Sequence, residues 1–128
     1  VTQVASGGEI ARLMLSLKAM ISGAVKLPTI IFDEIDTGVS GKIAEKMANI
    51  MKEMGDNDRQ VISITHLPQI AALGTTHYKV YKEDTSEATI SKMTILNEEE
   101  RIKEIAQMLS GSDISDAAIN NAKELLRL

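Results

Sequence analysis

The chain has 128 residues, 44% hydrophobic and 25% charged, the size and balance of one globular domain. It has no cysteine, which excludes a disulfide framework and thiolate metal sites and is compatible with the cytosol. The net charge of -4 argues against a phosphate-backbone footprint over the chain as a whole, and no apolar run approaches the ~20 residues of a bilayer-spanning helix.

Aromatic residues make up only 2% of the chain, so aliphatic side chains and seven Met must build the core. No signal-peptide pattern opens the sequence. There is no initiator Met, and Val1 enters mid-pattern, which points to a segment of a larger protein.

Ser6-Gly7-Gly8-Glu9 reads as a helix start, with Ser6 as cap and Glu9 three residues on, as in a capping box. Apolar residues at Ile10, Leu13, Met14, Leu17 and Ile21 then recur at helical spacing. After the break at Lys26-Leu27-Pro28, Thr29 to Asp33 reads as a short buried strand. Ser40 to Gly55 carries Ile43, Ala44, Met47, Ile50, Met51 and Met54 on one face, an amphipathic helix stopped by Gly55. Arg59 to Thr65 is a second short apolar strand, and Leu67 to Leu73 a short helix or turn opened by Pro68. Thr76 to Lys82 and Thr89 to Leu96 alternate as a strand pair around the solvated tip "EDTSEA". Glu98 to Leu109 and Ile114 to Leu128 read as closing helices separated by Gly111.

Helices that separate short buried strands imply an α/β fold, with a mostly parallel sheet, flanking helices and a strand pair at one edge. Ligand sites in such sheets lie beyond the carboxyl ends of the strands. Asp33 and His66 stand at those ends.

Three stretches carry chemistry. "TIIFDE" aims an apolar strand at paired carboxylates, Asp33 and Glu34, with Asp36 close behind. Ionised carboxylates resist burial unless something pairs with them, and a divalent cation is one such partner. Read alone, the stretch is equally a strand that surfaces in solvated acids. "ASGGE" puts two glycines and a hydroxyl at a helix N-terminus, where backbone amides and the helix dipole favour an anion. Read alone, it is an ordinary Ser-capped helix. "SITHLPQIAA" sets His66 at a strand end, as a donor or proton relay or as a structural histidine. His77 sits in a predicted edge strand with no motif around it and is assigned no role.

In combination these stretches resemble an ATP-binding-cassette ATPase head. "SGGE" is similar to the signature motif, "TIIFDE" to Walker B, "IDTG" to the D-loop and "ITH" to the switch-histidine loop. "FDEIDTGVSG" followed by "ITHLPQIAA" is closer still to the RecN family, bacterial ATPases of DNA double-strand-break repair related to the SMC proteins. The resemblance runs from about Ala5 to Leu73. It implies the C-terminal half of an ABC-type P-loop head, with ATP and Mg²⁺ as cofactors.

By the same resemblance, Asp33 contacts Mg²⁺ through water and Glu34 is the catalytic carboxylate. His66 senses or stabilises the γ-phosphate, and Asp36 crosses a dimer interface. Ser6, Gly7 and Gly8 contact ATP held by a second head. The implied partners are that second head in a homodimer, DNA through the full-length protein, and an N-terminal half bearing Walker A; the implied location is the bacterial cytoplasm, at the nucleoid, with no membrane partner. Ala5 departs from the Leu that usually opens the signature. No G-x-x-x-x-G-K-[ST] loop occurs anywhere, so the segment alone is expected to be close to inactive. The other readings are a head fragment of another ABC-type ATPase, SMC-like or transporter, and a non-enzymatic dimerisation module.

Overall fold

The computed structural model describes residues 13, 14, 16, 17, 27–39, 41–56 and 58–128. The chain divides into two compact units, Val1–Leu73 and Gly74–Leu128. Of the helix expected over Ile10 to Ile21, Leu13, Met14, Ser16 and Leu17 are described, and all four are helical. Ser6, Gly7, Gly8 and Glu9 lie outside the described residues.

The first unit contains β1 (Thr29–Asp33), α1 (Gly41–Asp56), β2 (Gln60–Ile64) and α2 (Pro68–Leu73). β1 and β2 pair in parallel, with Thr29 opposite Gln60 and Asp33 opposite Ile64. A parallel pair needs a crossover, and α1 supplies it. Ile30 and Phe32 of β1 are buried, with Val61 and Ser63 of β2 half-buried beside them. Against them lies the stripe of α1 formed by Ala44, Met47, Ala48, Ile50, Met51 and Met54. Leu17 and Ile70 complete this core, with Leu13 and Met14 packed on its edge. Methionine suits this setting because its unbranched thioether fills gaps that aromatic rings would otherwise occupy. The stripe differs in one place from the expected one. Ala48 takes the interior place, and Ile43 stands at the flank, 37% exposed.

The second unit contains β3 (Tyr78–Asp84), β4 (Thr89–Ile95), α3 (Glu98–Ser110) and α4 (Asp116–Leu126). β3 and β4 form an antiparallel hairpin with Tyr78 opposite Ile95 and Asp84 opposite Thr89. β3 starts and ends two residues later than expected, so Glu83 and Asp84 belong to the strand and not to the tip. Side chains explain the extension. Thr89 Oγ1 donates to Asp84 Oδ1 at 2.7 Å, and Lys92 pairs with Glu83 at 2.6 Å. The turn itself closes through Thr85, whose amide and hydroxyl both donate to the Ala88 carbonyl.

The described residues thus hold one parallel and one antiparallel two-stranded sheet within a mixed α/β architecture. No helix among them is long and apolar enough to cross a membrane.

Candidate functional site

Because β1 and β2 run parallel and in register, their carboxyl ends emerge side by side. The ladder continues one step past the strands: the Glu34 amide donates to the Ile64 carbonyl at 3.0 Å. There the chain turns sharply. Glu34 has φ of 52°, the left-handed region that costs a non-glycine residue about 1–2 kcal/mol. Two local contacts hold the turn. Thr37 Oγ1 donates to the Glu34 carbonyl at 3.0 Å, and the Val39 amide donates to the Asp36 carbonyl at 3.0 Å. Gly38, with φ of 80°, supplies the next left-handed residue without steric cost.

The turn sorts the three acids. Asp33 and Glu34 are exposed, whereas Asp36 is 4% exposed. The Asp36 carboxylate accepts a hydrogen bond from the Thr65 hydroxyl. Across the gap, His66 Nε2 lies 2.8 Å from Glu34 Oε1. Both side chains are open to solvent, His66 at 83% and Glu34 at 50%. An exposed pair of this kind adds little stability, so its meaning lies in placement. The two strand ends bring a carboxylate and an imidazole within proton-transfer distance.

Asp33 points to the opposite face of β1 from the buried Ile30 and Phe32. Among the described residues no three His, Cys, Asp or Glu side chains cluster as a metal cage. The donors that are present, exposed carboxylate oxygens, suit Mg²⁺, which keeps several waters and is commonly held by one or two carboxylates together with substrate phosphates. Of the four expected side chains, the structure brings Glu34 and His66 into contact and turns Asp36 inward to Thr65, while Asp33 is exposed at the end of β1. Sequence reasoning missed Thr65, which lies inside "ITH" and whose hydroxyl reaches Asp36.

His77, in the second unit, borders a cavity of about 380 Å³ together with Thr75, Thr76, Asn97 and Arg101. Burial, reinforced by the Arg101 charge, holds its imidazole below the ordinary value.

No protein-family model matches the chain. Curated relatives do. The chain is 40% identical over 98% of its length to DNA repair protein RecN of Bacillus subtilis (strain 168), covering 22% of that protein. The same identity and coverage hold for RecN of Halalkalibacterium halodurans. RecN of Rickettsia prowazekii is 43% identical over 98% of the chain and 23% of the relative. The chain thus spans less than a quarter of the length of these relatives. Among solved structures, a chain described for ATP-driven dimerization and DNA-stimulated activation of SMC ATPases superposes with a TM-score of 0.65 and 25% identity, over 85% of this chain and 65% of that one. The chain is RecN-like along nearly its whole length and has the fold of an SMC ATPase head.

Proposed function

We propose that this chain is the C-terminal part of the ATPase head of a bacterial RecN-like DNA repair protein. In the whole protein, ATP binding and hydrolysis drive pairing of two heads during recombinational repair of double-strand breaks. The observation that carries this reading is the 2.8 Å contact between His66 Nε2 and Glu34 Oε1, formed past the carboxyl ends of two adjacent parallel strands. Open α/β sheets bind their ligands there.

In this reading Glu34 orients the attacking water and draws off its proton. His66, tethered to the same carboxylate, donates toward the γ-phosphate or relays the proton. Asp33 holds Mg²⁺ through water. Bound there, the ion offsets negative charge on the phosphates. Ser6, Gly7 and Gly8 meet the γ-phosphate of ATP held by the opposite head. Asp36 stiffens the D-loop turn, so that the turn rather than the buried carboxylate faces the second head. The phosphate loop and its lysine come from the N-terminal half of the same polypeptide, since no such loop occurs in these 128 residues. DNA is engaged by the full-length protein, in the cytoplasm at the nucleoid. The names of the curated relatives and the SMC ATPase likeness support this assignment.

The test is Glu34→Gln in the full-length protein. Gln keeps size and hydrogen bonding but loses the basic carboxylate. ATP binding should persist while turnover falls by roughly two orders of magnitude or more, the scale of lost general-base help. Normal hydrolysis by this variant would remove Glu34 from the catalytic role.

A further inference from the structure

Beyond the Glu34 amide bond, no backbone bond among the described residues joins the two loops that leave β1 and β2. Side chains bridge them instead. One bridge is the His66–Glu34 contact, which is open to solvent. The other is the Thr65 hydroxyl on the buried Asp36 carboxylate. The same oxygen, Thr65 Oγ1, accepts the Leu67 amide at 2.9 Å. A hydroxyl has one proton to donate and lone pairs to accept with, so both bonds form at once. Together they fix the backbone on either side of His66 and tie it to the turn that carries Glu34.

The geometry points to Thr65 as the positioning residue of this site, setting the His66 imidazole against the Glu34 carboxylate through its bond to Asp36. The inference deepens the ATPase reading and rests on it for its kinetic consequence, but not for its geometric one. Val at position 65 keeps the shape of Thr and removes the hydroxyl. It leaves a buried carboxylate without that partner and the Leu67 amide without its acceptor. Ser keeps the oxygen.

The geometric arm uses the full-length protein with histidine-selective isotope labelling, in which the His66 ring signal is assigned by its loss in His66→Gln. Thr65→Val should move that NMR signal toward the place where Glu34→Ala, which removes the contact, puts it, and Thr65→Ser should leave it within a small fraction of that shift. Should Thr65→Val fail to fold, Thr65→Ala, which leaves room for water at Asp36, gives the same reading. The kinetic arm uses the full-length protein. Thr65→Val should lose about tenfold or more in kcat with KM for ATP within about twofold, the split expected when an interaction acts in the transition state, and Thr65→Ser should restore most of it. An unmoved His66 signal in the folded Val or Ala variant overturns the inference whatever the ATPase result. A full-length wild type without ATPase activity overturns the functional reading alone, because the geometric arm still decides the role of Thr65.

Discussion

Glu34 sits in a left-handed conformation that most side chains avoid, and it is the residue to which the proposed function gives the catalytic carboxylate. Strained backbone concentrates at functional sites because the surrounding contacts must over-determine it. Here the Ile64 carbonyl and the Thr37 hydroxyl do so. The sequence displayed the acids and His66 as candidates, since each motif is local, and the structure adds that His66 meets Glu34. It did not reveal that Asp36 turns inward, because an acid three residues past a strand reads as solvated until its partner, Thr65, is brought across from the end of another strand. Helical and strand periodicities carry no information about such a pairing.

His77 belongs to the same scale and makes a second prediction. Burial lowers its affinity for a proton; the Arg101 charge adds to this, Glu104 opposes it and Lys79 adds again. The folded value therefore lies below the ordinary 6.5, and on this ring the unfolded chain binds more protons than the folded one. The stabilising contribution is complete above about pH 6.5 and falls away as the pH drops from there through the folded value. Its Nδ1 atom is buried without a hydrogen-bond partner, so a protonated ring gains no bond there. Acidification from roughly pH 7.5 to about 5 should lower the thermal midpoint of the wild-type chain more than that of His77→Gln. Parallel pH dependences in the two proteins would show that His77 titrates as it does in the unfolded chain.

The elements were largely legible. β1 falls on its expected bounds, and each described helix begins and ends within two residues of the expected place, because caps and stops are local signals. α3 shows why. Asn97 Oδ1 accepts the Glu100 amide at 2.9 Å, and Glu100 Oε1 accepts the Asn97 amide at 3.1 Å, a complete capping box. Asn97→Ala should cost about 1 kcal/mol of stability, read as a lower denaturation midpoint with unchanged slope in urea. A midpoint within error of wild type would mean that the N-terminal turn of α3 frays freely. The hairpin was less legible. Alternation marked the two strands but not their burial: Tyr78, Val80, Met93 and Ile95, cross-strand neighbours on one face, are each more than half exposed. Pattern reports which face is apolar, not whether these residues cover it.

The same limit appears at the scale of the whole molecule. Ile31, Ile62 and Ile64 lie on the face of the parallel pair turned away from α1 and are 41% to 62% exposed, although parallel sheets are normally covered on both faces. In the proposed head, the half bearing the phosphate loop covers them. Action between heads then has a decisive test. In that reading, a bulky cation at the proposed signature, Ser6→Arg, should block closure of two full-length heads without stopping nucleotide binding, since each chain would bind ATP with its own phosphate loop. A second full-length variant, altered at the lysine of that loop, should bind no nucleotide but keep its signature. Each variant alone should be inactive. A mixed dimer holds one complete composite site, made of the phosphate loop from the Ser6→Arg chain and the signature from its partner. Recovery of part of the ATPase activity on mixing is the expected result. If mixed dimers form, as measured by subunit exchange between differently tagged chains, and no activity returns, then Ser6 does not act on the partner's nucleotide as one half of an independent site.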